Sequence, residues 1–487
     1  MKKSGCDLRR SGAALFVILA VLGCFGCKTA PEVISTDTYY VSAAGNDANN
    51  GLTAKTPFKT LKKALDTAKE GAYRIITVLG TLNAASEGAN EGSSVFTART
   101  TGDAVITIRG ADANAALSAL NAGKRVIEIV GNSHIRLENI EISGGSIAEA
   151  DISKGGGGGI LIAGSTTNGA TLIAAKGAVI KNNQAQGGGG VAVGGKGSSF
   201  TLEGGEVREN KSSTVGGGIL SFQESALELV AGLVEGNTAA TQGGGISVGS
   251  GTGLTLKGGE IIGNQAEDGG GFHVAGTAEM QGGKINGNSS PSNGGGVYVS
   301  NGGSFTLTDG EIQGNKALTA GGGVSIYGGT FAMQNGVIAG NTAASTAAAD
   351  GTGGGVFIIE GSFDFSGGSI TGNSASNSGG GVNANRDSTF TMTGGEIGGN
   401  SAEVGGGGVA VLGANNRFKK TGGVIYGIDA DPAQQNTTTD QNGNSVNVSK
   451  SGDLRVAVIT EIKRRRNTAS RTNLDSSVNG DAGGWER

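Results

Sequence analysis

The sequence predicts an all-β fold, a three-sided parallel β-helix in which short strands stack rung upon rung. Three observations lead to this prediction: a repeat of about 27 residues, alternating apolar pairs within each repeat, and glycine runs between those pairs. A period of this size is typical of a solenoid, because one unit is too small to bury its apolar side chains unless it stacks on its neighbours.

Asparagines mark the repeat most clearly. They recur at intervals of 27, 27, 27, 24, 27, 26, 32 and 27 residues, and an Ile or Val stands three residues before each one. The nine members are Asn183, Asn210, Asn237, Asn264, Asn288, Asn315, Asn341, Asn373 and Asn400. Stacked Asn amides hydrogen-bond to one another and to turn backbone, so we interpret this column as a structural ladder rather than a ligand site.

The apolar residues of each repeat alternate with polar ones. One rung shows the pattern: the pair Val297 and Val299 follows a glycine run, and the pair Phe305 and Leu307 precedes the next Ile-x-x-Asn. Alternation with a period of two indicates strands rather than helices. Each rung therefore holds three short strands, which stack in parallel about 4.8 Å apart.

The composition excludes some classes of function. The chain has 487 residues, 96 of them glycine and only 4 proline, with a net charge of −4. The glycines lie between apolar strands, as expected for solenoid corners and not for a disordered chain. A slightly acidic balance offers no basic surface for nucleic acid, so we predict no nucleic-acid partner.

Residues 1–27 read as an export signal, with a basic start and an apolar run too short to span a membrane. Two cysteines close this segment, Cys24 after Val21-Leu22-Gly23 and Cys27 after Phe25-Gly26. The pattern resembles the lipobox of bacterial lipoproteins. That resemblance implies lipidation of Cys24 or Cys27 and a membrane anchor on the exported protein, followed by a tether over 28–37. An ordinary secretory signal is the alternative.

A capping helix is predicted next, with Thr56 as its N-cap, Pro57 at its first position and an apolar face. That face consists of Phe58, Leu61, Ala64, Leu65 and Ala68. The stretch from Tyr39 to Ala68 resembles the entry segment of right-handed β-helix proteins of the pectate-lyase-like superfamily. The resemblance implies a right-handed solenoid whose open N-terminal end is covered by the helix.

The remaining boundaries follow from the repeat. Residues 38–154 hold the N-terminal cap and irregular rungs, with strands predicted at Ile75–Leu79, Val105–Ile108, Val126–Ile129 and Ile135–Ile142. Regular repeats occupy 155–428, where Gly422–Gly427 repeats the frame and Ile428 takes the asparagine position, and 429–487 form a C-terminal cap and tail. The repeats resemble those of glycine-rich β-helix surface lipoproteins. They resemble polymorphic outer-membrane proteins distantly, because G-G-G-[IVF] and G-N replace the motifs of that family.

One outward column is the candidate binding site. His273, Tyr298 and Phe357 each lie between two inward residues, so they are predicted to point away from the core on neighbouring rungs. Exposed aromatic residues in a row suit a glycan or a host or matrix protein, as in an adhesin. The alternative is that they only shelter strand backbone.

Carboxylates are candidate catalysts, because the pectate-lyase-like superfamily that the entry segment resembles includes polysaccharide lyases and hydrolases. Glu206 and Glu260 stand two rungs apart, but neither has an evident partner to tune its pKa. Glu260, Lys284 and Glu311 are predicted to form a surface charge ladder. We therefore predict no catalytic residue, metal site or cofactor. The sequence favours a lipid-anchored protein of the outer membrane or cell surface that acts as a binding or structural module. A polysaccharide-active enzyme and an inert spacer are the alternatives.

Overall fold

The computed structural model describes residues 38–70, 74–88, 92–100, 104–149, 156–164, 169–346, 350–412, 416–427, 430–439, 445–446 and 485–486. These residues form an all-β parallel solenoid, which confirms the predicted fold class. The three predicted strand columns are present in every regular rung. We call them sheets 1, 2 and 3, in the order in which the chain meets them after each glycine run.

Sheet 1 begins directly after the glycine run and has twelve parallel strands. They are Ser94–Ala98, Arg125–Gly131, Ile160–Gly164, Val191–Gly194, Ile219–Phe222, Ile246–Val248, Phe272–Val274, Val297–Val299, Val324–Tyr327, Val356–Ile359, Val382–Asn385 and Val409–Leu412.

Sheets 2 and 3 follow in each rung and are joined into one hydrogen-bonded sheet, because two ten-residue strands, Ser199–Arg208 and Ala226–Glu235, run through both. The other strands of sheet 2 are Thr38–Ser42, Ile75–Leu79, Val105–Gly110, His134–Glu138, Thr171–Ala175, Gly253–Leu256, Thr277–Met280, Ser304–Leu307, Thr330–Met333, Ser362–Phe365, Thr389–Met392 and Arg417–Lys420. Those of sheet 3 are Thr81–Asn83, Ala116–Ser118, Glu141–Ser143, Val179–Lys181, Glu260–Ile262, Lys284–Asn286, Glu311–Gln313, Val337–Ala339, Ser369–Thr371, Glu396–Gly398 and Val424–Ile425.

A fourth, shorter column of strands follows the asparagine, and the sequence pattern did not predict it. Most of its strands have only two residues and a single inward side chain, which is too short to show alternation. The strands of this sheet 4 are Gln184–Gly187, Lys211–Val215, Thr238–Ala239, Ser289–Ser290, Lys316–Ala317, Thr342–Ala343, Ser374–Ala375, Ser401–Ala402 and Thr437–Thr439.

The inward side chains of sheets 1, 2 and 3 meet in one continuous core. In sheet 2 the core contains a stack of five phenylalanine rings with centroids 4.8 to 5.1 Å apart. Its members are Phe305, Phe331, Phe363, Phe390 and Phe418. The ring spacing matches the rung spacing, so parallel register alone brings equivalent side chains into contact.

The asparagine ladder forms as predicted, with every predicted member at most 1% exposed. Asn264 shows the pattern: its backbone N and Nδ2 both donate to Asn288 Oδ1, at 2.9 and 3.0 Å, and Nδ2 also donates to Val234 O. Its own Oδ1 accepts the same pair of hydrogen bonds from Asn237. The amides therefore point the same way along the solenoid, and each one satisfies backbone that the corner would otherwise leave unpaired.

A tenth asparagine ends the ladder, and here the prediction was wrong. Asn436, not Ile428, occupies the asparagine position, because Asn400 N and Nδ2 donate to Asn436 Oδ1 at 3.1 and 3.0 Å. The interval from Asn400 to Asn436 is 36 residues. The connection is therefore longer than in the regular repeat, and a period of 27 residues does not predict this position. The regular frame thus continues beyond the predicted boundary.

The glycine run makes the close approach between rungs possible. A Cβ on Gly295 would lie 2.4 Å from Lys316 O, and one on Gly296 would lie 3.0 Å from Asn315 Nδ2. The first glycine of the run, Gly294, has a φ of +66°, a conformation that favours glycine. A side chain at these positions would push the asparagine and the next rung away.

The N-terminal helix is present, but it begins later than predicted. It spans Leu61–Glu70, and Phe58 instead pairs with Val41 in an isolated parallel bridge. Thr60 caps the helix, since its Oγ1 accepts from Lys63 N. The predicted apolar face is fully buried against the first rungs, with no member more than 3% exposed. A second short helix spans Ala84–Glu87.

Two antiparallel strands lie at the C-terminal end of the parallel stack. Ser445–Val446 pairs with Thr437–Thr439, and Trp485–Glu486 pairs with Arg417–Lys420. The reversed direction ends the parallel register of sheets 2 and 4. The rest of the predicted C-terminal cap, the export signal with Cys24 and Cys27, and the tether at 28–37 lie outside the described residues.

Candidate functional site

The structure brings the three predicted binding residues into one column on the outer side of sheet 1. His273 is in register with Tyr298, and Ser325 separates Tyr298 from Phe357. All three point away from the core, as predicted, but they are buried: 6% of His273 and 9% each of Tyr298 and Phe357 are exposed. The expectation of an exposed aromatic row was therefore wrong.

The glycine corner explains this burial. The chain turns so sharply before each sheet 1 strand that its incoming segment lies against the outer side of that strand. A Cβ on Gly294 would lie 3.0 Å from the Tyr298 Cβ, and one on Gly353 would lie 2.8 Å from the Phe357 Cβ. Ala320, on the incoming segment of a neighbouring rung, packs with Phe357 and Ile359 in a small separate cluster. The alternation of residues along a strand determines whether a side chain points inward or outward. The path of the preceding loop determines whether an outward side chain is exposed.

His273 is fixed by hydrogen bonds from both ring nitrogens. Its Nδ1 is 3.2 Å from Ser247 Oγ, and its Nε2 is 2.9 Å from Ser300 Oγ. Ser300 in turn donates to Val274 O, so it accepts from Nε2–H, and Nδ1 accepts from Ser247. Burial lowers the pKa of His273 to about 4. The ring is thus neutral at pH 7, and its partners are hydroxyls rather than a carboxylate that would orient a catalytic base.

Tyr298 stacks on the His273 ring of the adjacent rung. The two ring centroids are 5.8 Å apart with an interplanar angle of 27°. Burial, together with the nearby Asp268 and Tyr327, raises the pKa of Tyr298 to about 12. The phenol therefore stays protonated at physiological pH and acts as a neutral group.

Tyr327 is the exposed ring on this face, and sequence reasoning missed it. It ends its strand one residue after the inward Ile326, in a second outward column, and 45% of it is exposed. Among residues whose exposure is described, it is the one aromatic that is largely exposed. The alternation along its strand predicts that Tyr327 points outward, but alternation does not predict its exposure, which the path of the corner decides.

Exposed polar residues lie at the corner after sheet 1, on the rungs next to Tyr327 and beyond. We call this line of exposed side chains the corner ridge; its members are Asn301, Tyr327, Glu360 and Arg386. The Arg386 Nη1 lies 3.6 Å from the Glu360 Oε1 across adjacent rungs. A Cβ on Gly328 would lie 3.2 Å from the Asn301 side chain. Asn301 stands one rung before Tyr327 and Glu360 one rung after it, so polar residues flank the rung that carries the exposed ring.

The carboxylates on sheet 3 form surface ion pairs instead of a tuned pair. Glu206 Oε2 is 3.0 Å from Arg208 Nε, and Leu233 stands between Glu206 and Glu260. Lys284 lies in register between Glu260 and Glu311 and pairs with Glu311 at 3.1 Å, as the predicted charge ladder requires. Such exposed pairs contribute little to stability.

Within the described part of the chain, no group of three or more His, Cys, Asp or Glu side chains could hold a metal ion. No helix in the same residues is long and apolar enough to cross a membrane. Comparison with protein-family models gives no match, and comparison with curated proteins gives none either. The arguments about function therefore rest on the sequence and on the geometry of the solenoid.

Proposed function

We propose that this chain is an exported, lipid-anchored surface protein whose solenoid is a rigid binding module without catalysis. The observation that carries the proposal is the use of the repeated residues. The buried asparagines satisfy corner backbone, and the glycines allow close packing of rungs. The repeated polar residues of the core therefore stabilise the solenoid, whereas the outward side chains differ from rung to rung. A rigid solenoid of this kind holds those outward side chains in fixed positions, where a ligand could bind them.

The anchor is part of this proposal and rests on the lipobox-like spacing of Cys24 and Cys27. Expressed as the full chain in a bacterium, the protein should incorporate labelled palmitate and enter the detergent phase on phase separation. The double variant Cys24→Ser/Cys27→Ser should lose both properties, and each single variant shows which cysteine is used. Cys6→Ser is the matched control, because Cys6 lies in the segment predicted to be removed. The anchor would be refuted if the wild-type protein carried no label and stayed in the aqueous phase.

Binding is tested separately from anchoring. The full chain in detergent is applied to arrays of glycans and of extracellular-matrix proteins, and a ligand retained above a heat-denatured control supports the binding module. Arrays without any retained ligand would favour the inert spacer. A polysaccharide-active enzyme would instead release reducing ends from soluble polysaccharides, which our proposal does not expect.

A further inference from the structure

The exposed Tyr327 stands over a buried apolar patch. It pairs in register with Ile359, which is 9% exposed and packs with Phe357 and Ala320. Tyr327 and Ile359 occupy adjacent rungs on the same face of sheet 1, so their side chains are neighbours. A ring beside a buried apolar neighbour loses less conformational entropy than an isolated one when a ligand stacks on it.

The backbone of the corner ridge is held by hydrogen bonds between rungs. Gly328 N donates to Ile359 O at 3.0 Å, and Glu360 N donates to Arg386 O at 2.9 Å. These bonds keep the ridge residues at the rung spacing, and their side chains project from a fixed base. The ridge is thus a linear array with one aromatic ring and three polar groups.

Two ridge residues adopt a backbone conformation that favours glycine. Glu360 has a φ of +53° and Arg386 a φ of +39°, whereas the equivalent corner residue after Tyr327 is Gly328, with a φ of +70°. A left-handed conformation is strained for a non-glycine residue. Glycine would relieve this strain at both corners, but it would also remove the two charged side chains.

We propose that the corner ridge binds a neutral glycan chain, with one sugar ring stacked on Tyr327 and its hydroxyls bonded to Asn301, Glu360 and Arg386. The inference rests on the proposed binding function and names its ligand class and site. A pyranose has an apolar face that fits an aromatic ring and hydroxyls around its rim. Glu360 and Arg386 offset each other, so the four ridge side chains together carry no net charge, which favours a neutral ligand over a charged one.

The size of the exposed apolar surface favours a glycan over a protein. A stable protein interface buries about 800 Å² on each partner around a cluster of apolar anchors. Here Tyr298, Phe357 and Ile359 are each 9% exposed, so Tyr327 alone offers a large apolar contact. None of the other exposed large apolar residues of the described chain belongs to a strand of sheet 1; they are Val105, Leu120, Val230, Leu318 and Val404.

The test measures binding of defined neutral hexasaccharides to the full chain in detergent by calorimetry. The probes are cellohexaose, chitohexaose, xylohexaose and mannohexaose. For a probe that binds, Tyr327→Ala should weaken affinity about three- to tenfold, the scale of an aromatic contact, while Tyr327→Phe stays within about twofold. Leu318→Ala, which removes an exposed apolar side chain on another corner, is the matched control and should leave affinity unchanged.

A second variant separates the ridge from general stability. Glu360→Gly combined with Arg386→Gly relieves the left-handed backbone, so thermal stability should be kept or raised while affinity falls at least about threefold. Unchanged affinity in both Tyr327→Ala and this variant would overturn the site but leave the binding module standing. Failure of every hexasaccharide while a matrix protein is retained on the arrays would overturn the glycan assignment. No ligand of any kind would instead refute the binding function itself.

Discussion

At the scale of single residues, burial and hydrogen-bond partners decide what each polar side chain does. Asn264 uses its amide fully: two donors and one acceptor are matched within the ladder, and none faces solvent. His273 is likewise satisfied by two hydroxyls. A buried hydrogen bond adds little net stability, but removing one partner leaves the other unpaired at a larger cost in free energy. Substitution of either residue should therefore destabilise the fold.

Replacing Asn264 by alanine should destabilise the solenoid markedly. The substitution leaves Asn237 N and Nδ2 without their shared acceptor and removes one donor to Val234 O. The expected loss is about 3 kcal/mol in the free energy of unfolding, measured by denaturant titration. Asn335→Ala is the control: this exposed asparagine makes one long hydrogen bond, so its loss should stay within about 0.5 kcal/mol. Similar midpoints for the two variants would mean that water replaces the ladder amide.

His273 should make the fold less stable in acid. Its pKa is lowered from 6.5 to about 4 in the folded chain, so the unfolded chain binds the proton first as the pH falls. The contribution of neutral His273 is fully present above pH 6.5 and is lost between pH 6.5 and 4, about 3 kcal/mol in total. The ring faces Ser247, Ser300 and Tyr298.

The measurement is the free energy of unfolding of wild type minus that of His273→Gln, at pH 7.5 and at pH 4. The difference cancels the titration of the carboxylates common to both proteins. It should shrink or reverse at pH 4, because glutamine cannot take up a proton. A difference independent of pH would show that the imidazole titrates alike in the folded and unfolded chains.

At the scale of elements, the strands are stabilised by contact between equivalent side chains on adjacent rungs. Strands of three or four residues have little stability alone, and the register of the parallel stack brings like residues together. The phenylalanine stack of sheet 2 is the clearest case, with interplanar angles of 4° to 18° between neighbours. Each ring therefore depends on the one above and the one below.

Phe363→Leu should cost about 1–2 kcal/mol, because it removes ring contacts to Phe331 and Phe390 at 4.8 and 5.1 Å as well as volume. Phe200→Leu is the matched control. Phe200 is equally buried, but its neighbours on the adjacent rungs are Leu172 and Leu227. Its replacement by leucine therefore changes side-chain volume and shape without removing a contact between stacked rings. Equal losses in unfolding free energy for the two variants would show that stacking adds nothing to burial.

At the scale of the whole molecule, the solenoid is a one-dimensional series of rungs. Each rung contacts only its neighbours, so inner rungs are held from two sides and end rungs from one. The N-terminal end is covered by the helix Leu61–Glu70, whereas the residues described at the other end are two short antiparallel strands paired with the last rung. Stability should therefore vary along the axis.

Hydrogen exchange followed by mass spectrometry should reveal that gradient. Backbone amides of the middle rungs, residues 254–290, should exchange at least about tenfold more slowly than those of the last rung, residues 417–427. Both segments contain hydrogen-bonded strands, so the contrast isolates position along the stack. Uniform protection would mean that the solenoid opens as one cooperative unit.

The sequence by itself determined the repeat, the three main strand columns, the inward faces and the asparagine ladder, because side-chain direction and spacing along a parallel stack follow from local periodicity. It could not decide what lies over an outward face. Burial of Tyr298 and exposure of Tyr327 depend on where the glycine corner takes the incoming chain, and that path is set by contacts between rungs. Asn436 was missed for the same reason: a long connection returns to the ladder only in three dimensions.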